Sequence, residues 1–170
     1  MPNFVTIPII GRVSRAHDFI SGPVWICIGR TTPWTNDSVP PPTVPDKTTI
    51  EEPVIYKRCD VVSFVIEDPN GEHTVSGIRY KEVSPTYARV NFTSTILIRA
   101  VINYDDVNDD ITFRQVGIFT KLKPKSGSEM KTVLLPSEVD DPGFLEWYAN
   151  QEPIYIQPNH HQVFYVILYF

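Results

Sequence analysis

Trp25-Ile26-Cys27-Ile28-Gly29-Arg30-Thr31-Thr32-Pro33-Trp34-Thr35-Asn36-Asp37-Ser38-Val39-Pro40-Pro41-Pro42 is the stretch from which the chain is best read. Val24 to Ile28 is apolar and rich in β-formers, too short for an ordinary helix, and reads as a strand that breaks at Gly29. The prolines that follow fix φ near −65° and withhold amide donors, so this segment cannot join a central strand. It is expected to run as a stiff extended arm over about 29–53, polyproline II in character. Two dispositions are open for Trp34: it anchors a neighbouring molecule, or it folds back on its own sheet.

Outward from that stretch, composition narrows the class. The chain has 170 residues, enough for one domain with a real core and no need of staples. Sixteen prolines against eight glycines favour short strands and stiff connections over long helices. The net charge is −5, and no run exceeds two adjacent Lys or Arg, so nucleic acid is not an expected partner. No stretch approaches the ~20 apolar residues of a membrane helix, and Met1 to Ile10 does not read as a signal peptide. Cys27 and Cys59 sit in or beside apolar runs and read as buried free thiols, with a disulfide open if their strands are neighbours.

Strands are expected at Phe4 to Ile10, Val54 to Tyr56, Val61 to Ile66, Thr74 to Tyr80, Tyr87 to Asn103, Ile111 to Leu122 and Lys131 to Leu135. Arg12 to Ile20 is expected as a short helix with Ser14 as a cap. Asp68-Pro69-Asn70-Gly71 reads as a hairpin turn because Asn-Gly tolerates positive φ, and Gly117 as a bulge. Phe144 to Tyr148 and Pro153 to Gln157 read as two short segments. The terminal run Val163 to Phe170 reads as a strand buried on both faces, central in a sheet or against a partner. The expected class is all-β: an antiparallel β-sandwich over 1–170 with a short N-terminal helix and the proline-rich arm.

Chemistry-bearing patterns are sparse. Asp106-x-Asn108-x-Asp110 opens like a calcium loop but has Ile111 and Gly117 where that loop needs Gly and Glu, and reads as a solvated turn. Adjacent His160 and His161 point to opposite faces of a strand and chelate poorly. His17 and His73 have no carboxylate or Cys at a recruiting spacing. No phosphate loop, nucleophile elbow or zinc-protease motif is present, and no catalytic residue, metal, cofactor or small-molecule substrate is expected.

Three stretches together resemble a family. They are Gly29-Arg30-x-x-Pro33-Trp34 with Asn36-Asp37 and Pro40-Pro41-Pro42; Ile111-Thr112-Phe113-Arg114-Gln115-Val116-Gly117-Ile118; and Leu145-x-Trp147-x-x-Asn150-x-Glu152-Pro153-Ile154 with the ending on Phe170. They resemble the small baseplate-wedge proteins of contractile-tailed bacteriophages, here in a shortened form. The resemblance implies a structural β-sandwich without catalysis, assembled in the infected cell, that joins neighbouring baseplate or tail proteins. The larger members dimerise, so a homodimer is one expectation. Arg30, Pro33, Trp34, Pro40, Pro41, Pro42, Trp147 and Phe170 are the expected interface residues. The alternative is a carbohydrate- or receptor-binding β-sandwich of a phage tail, which requires an exposed aromatic platform.

Overall fold

The computed structural model describes residues 6–170. In chain order the elements are α1 (Ile9–Ile20), β1 (Val24–Gly29), β2 (Ile55–Arg58), β3 (Val61–Glu67), β4 (His73–Val75), β5 (Ile78–Val83), α2 (Pro85–Val90), β6 (Thr95–Asn103), α3 (Tyr104–Val107), β7 (Ile111–Thr120), β8 (Lys123–Pro124), β9 (Val133–Leu134), β10 (Val139–Asp141), β11 (Phe144–Ile156) and β12 (His161–Tyr169). A single 3₁₀ turn spans Pro136–Glu138. The protein is mostly β, sandwich-like in class, with antiparallel sheets and the expected N-terminal helix.

Two compact units make up the chain. The first comprises residues up to Gly22, Val61–Arg99 and Phe164–Phe170; the second is Pro23–Asp60 and Ala100–Val163. In the first unit α1 buries Val13, Ala16 and Phe19, one stripe at helical spacing. The Phe19 ring packs 5.4 Å from Phe170. Val65, Tyr80 and Leu97 form a core with Val61, Val75 and Ile167 against them.

The second unit is built on the sheet order β11-β7-β1-β2-β9. All six residues of β1 are buried, and the strand expected over Val24 to Ile28 runs one residue further, through Gly29. Its register runs from Val24 opposite Thr120 to Gly29 opposite Gln115. Trp25, Cys27, Ile50, Tyr56, Phe119, Leu122 and Leu134 form the core, with Leu145 and Tyr148 packed on it. Both cysteines are free thiols. Burial pushes the Cys27 thiol far above its ordinary range.

Several expectations need correction. The strand expected from Phe4 is not seen where the chain is described: Thr6 to Pro8 are irregular and Ile9 opens α1, while Phe4 and Val5 lie outside the described residues. Pro8 caps the helix in place of Ser14; the first-turn amides lack intrahelical acceptors anyway, so a residue without a donor fits there. The run from Tyr87 begins as helix, because Ser84 Oγ accepts from Tyr87 N at 3.1 Å and Pro85 occupies the first turn. Gly117 is not a bulge: it stays in register with Cys27 and Tyr148. It is small because Ile50 Cδ1 and Leu145 Cδ1 would stand 2.8 Å from a Cβ there.

The partner of β3 is β5, with β4 beyond it. The positive-φ hairpin turn is Ser76-Gly77, at 51° and 83°. At Asp68–Gly71 the turn closes through Gly71 N to Asp68 O, 2.8 Å, and Asn70 N to Asp68 Oδ1, 2.8 Å. Gly71 is required by close approach, since a Cβ would meet the Tyr80 backbone at 2.3 Å. The two segments expected near 144–157 are one thirteen-residue strand, β11, whose register shifts between Asn150 and Ile154 accommodate Pro153 at a sheet edge. The terminal strand β12 is also at an edge rather than central. Only Val166 in it is fully buried, and Tyr169 is 69% exposed. Its tyrosines explain how this apolar run tolerates water, since their hydroxyls stay hydrated or meet each other, as Tyr80 and Tyr169 do at 3.2 Å.

Gly71→Ala is expected to destabilise the protein by about 1–3 kcal/mol in urea unfolding, because backbone rather than a flexible side chain must move. Gly22→Ala, where nothing lies within 4 Å, is expected to leave the midpoint unchanged or slightly raised.

Candidate functional site: a folded-back proline segment

Between β1 and β2 the chain from Arg30 to Val54 forms neither helix nor strand. It does not stand off as an extended arm. It is fastened to its own unit at Thr31, Trp34, Asp37, Pro41, Val44 and Glu51, so the fold-back disposition of Trp34 is the one observed.

The fastening begins at the strand end. Arg30 takes the left-handed conformation, φ 58°, and its amide donates to Glu51 O at 2.6 Å. Its guanidinium donates from Nη1 to Glu51 Oε2 at 2.6 Å, from Nε to Thr32 O at 2.9 Å and from Nη2 to Pro33 O at 3.3 Å. The same group stacks 4.7 Å above the Trp34 ring. Gly29 makes this crossing possible, since a Cβ there would come within 2.5 Å of Glu51 O.

Two carboxylates then organise the turn. Glu52 accepts from the amides and hydroxyls of both Thr31 and Thr32, at 2.7–2.9 Å. These bonds, those from Thr32 first, hold its carboxyl down to about 2. Asp37 accepts two parallel bonds from Arg114, Nε and Nη2, both at 2.7 Å, and a third from Trp34 N at 2.8 Å. Arg114 is nearly buried on β7 and also donates from Nη1 to Thr31 O at 2.7 Å. That pairing holds the Asp37 carboxyl below the ordinary range and raises Arg114.

Edge strand β11 secures the rest. Trp34 Nε1 donates to Gln151 O at 3.0 Å, Asn150 Nδ2 to Pro41 O at 2.9 Å, and Tyr148 OH to Val44 O at 3.0 Å. Val44 N donates back to the Tyr148 hydroxyl. Gln115 on β7 links both sides, accepting from Glu51 N and donating to Asn150 Oδ1, each at 2.8 Å. Beneath, the Ile50 side chain is buried in the core.

What remains outward is a shallow groove lined by Arg30, Trp34, Thr35, Asn36, Val39 and Pro41. Val39 and Val44 are 66% and 47% exposed beside it, and Pro42 is exposed as well. Of the residues expected at an interface, Arg30, Trp34 and Pro41 line this groove and Pro33 bonds into it. Pro40 is half-buried in the same segment. Trp147 lies on β11 opposite Ile118, half-buried. Phe170 belongs to the other unit, where its backbone exchanges bonds with Ser94.

Sequence reading did not assign roles to Asp37, Glu52, Arg114, Gln115 or Asn150. One signal was available: an Arg-Gln pair inside an otherwise apolar strand requires polar partners from elsewhere in the chain. It also gave His73 no partner, whereas the first unit brings His73, Glu72 and Glu82 together. Asp106 is not free for a cation: it takes the Lys57 ammonium and the Asn103 amide.

A family model described as "Baseplate wedge 3 tail fiber network component" matches residues 8–170. The chain is similar to "Virion protein 3" of Enterococcus phage phiEF24C, 35% identical over 141 residues, covering 76% of this chain and 74% of that one.

Acidification is expected to loosen this segment. Glu52 is held at about 2 against an ordinary 4.5, so its contribution is complete above 4.5 and is lost as pH falls toward 2. Tryptophan fluorescence followed from pH 6 to 2 should report the change, and Glu52→Gln should flatten it. Asp37→Ala strands the Arg114 guanidinium and is expected to lower the Tm by several degrees by calorimetry, whereas exposed Asp46→Ala leaves it unchanged.

Proposed function

The chain belongs to the baseplate wedge 3 tail fiber network component family, and from that premise we propose that it acts as a wedge adaptor gripping neighbouring baseplate subunits through segment 30–54. It is a virion protein of the phage baseplate. No helix among the described residues is long and apolar enough to cross a membrane.

The observation that carries the adaptor reading is the pre-folded groove. Trp and Arg dominate the energy of protein interfaces, and here both are fixed before any partner arrives. Arg30 is held by Glu51 and by two backbone carbonyls, and Trp34 by Gln151. Side chains already ordered in the free protein lose little further entropy on docking. Val39, Val44, Pro41 and Pro42 supply the apolar surface around them.

The chemistry of the segment supports a role without catalysis. A general acid working near neutrality needs a raised carboxyl pKa, and Asp37, Glu51 and Glu52 are all shifted down by their partners. A nucleophilic cysteine needs a lowered pKa, and both thiols are shifted up by burial. The carbohydrate-binding alternative has less support. Exposed Phe144 and Tyr155 stand eleven residues apart on β11, about 36 Å at ordinary strand rise, and exposed Tyr165 and Tyr169 on β12 are the closer pair, about 13 Å apart.

The test uses side chains that take no part in the fold. Val39→Asp with Val44→Asp should leave the Tm of the isolated protein unchanged and sharply reduce its incorporation into baseplates in a complementation assay. Normal baseplates from that variant would overturn the proposal. Specific retention of the wild-type protein on a glycan array would favour the alternative.

A further inference from the structure

We propose that Glu72, His73 and Glu82 of the first unit form a site for a divalent transition cation of the zinc class. Each offers one donor atom, and the three atoms all lie within 4.8 Å of one another. His73 stands on β4 and Glu82 on the neighbouring strand β5, while Glu72 ends the turn that leads into β4. The strand register places His73 opposite Tyr80, which brings the histidine to the same end of the hairpin as Glu82.

The donor set is oriented as a metal site needs. His73 Nε2 lies 2.8 Å from Glu82 Oε1, so the imidazole already faces the carboxylate. Ser63 Oγ donates to the other oxygen of Glu82 at 2.6 Å, the outer contact that commonly fixes a ligating carboxylate. Glu72 Oε1 accepts the Glu82 amide at 3.1 Å, a bond that lowers its carboxyl from the ordinary range. The His73 side chain is only 13% exposed, with the Tyr165 ring 6.3 Å from its own.

Two carboxylates converge on one imidazole, against the single lysine, Lys81, that acts on Glu72. One nitrogen and two oxygens suit zinc and its neighbours, whereas calcium and magnesium prefer all-oxygen sites. A cation about 2.1 Å from each donor needs only small rotations of Glu72 and Glu82, which reach toward solvent. Bound there, it ties the Asp68–Gly71 turn to the β4–β5 hairpin at the sheet edge. This inference does not depend on the adaptor role.

The experiment is zinc titration of the EDTA-treated full chain by calorimetry, with thermal unfolding alongside. One equivalent is expected to bind and to raise the Tm. His73→Gln should abolish both effects. Glu72→Gln keeps an acceptor for the Glu82 amide, so it should fold normally and weaken zinc by roughly tenfold or more. No saturable binding, saturation by magnesium or calcium in place of zinc, or binding unaltered in folded Glu72→Gln and His73→Gln variants would overturn the proposal. The last result would place any zinc at other histidines.

Discussion

Arg114 sits nearly buried on β7 and is paired there with the Asp37 carboxylate. Eight of the ten residues of that strand are buried, and Arg114 and Gln115 are among them. A nearly buried guanidinium left without a partner is strongly destabilising. Asp37 supplies the partner, and it arrives on the segment that leaves β1. The bidentate geometry fixes both the distance and the plane of approach. The path of segment 30–54 therefore follows from the needs of the strand beneath it.

Once Asp37 is placed, the remaining contacts have little freedom. Trp34 is three residues away and bonds Asp37 through its amide and Gln151 through its indole. Arg30 then finds the Trp34 face on one side and Glu51 on the other. Gln115 completes the arrangement by bonding Glu51 and Asn150 together. Proline suits this path for a reason other than reach: each one lowers the entropy of the unfolded chain and withholds an amide that would need a partner. For a baseplate protein, the outcome is an irregular surface held by side-chain hydrogen bonds in place of a strand ladder.

The two sheet edges show how apolar sequence can be placed without full burial. β11 and β12 each end a sheet; β11 carries exposed Tyr155, and β12 exposed Tyr165 and Tyr169. β11 breaks register twice along its length, which twists and interrupts the row of free backbone groups. The terminal apolar run suggested a central strand because burial on both faces is the usual home of such sequence. Its tyrosines alter that balance, since each carries a group that prefers water.

The β class, the apolar strand β1 and the exclusion of the proline stretch from any strand were legible in local sequence. Each rests on short-range properties: alternation, a proline's fixed φ, a strand's length. The turn at Ser76-Gly77, the helix opened by Ser84-Pro85 and the start of α1 after Pro8 also had local cues, but competing strand-like residues masked them. The cis docking of the segment, the Arg114–Asp37 pair and the Glu72–His73–Glu82 cluster were decided by tertiary structure alone. Asp37 and Arg114 lie 77 residues apart, and His73 and Glu82 stand on different strands. Sequence states that a buried arginine needs a carboxylate; only the strand order and register determine which carboxylate can reach it.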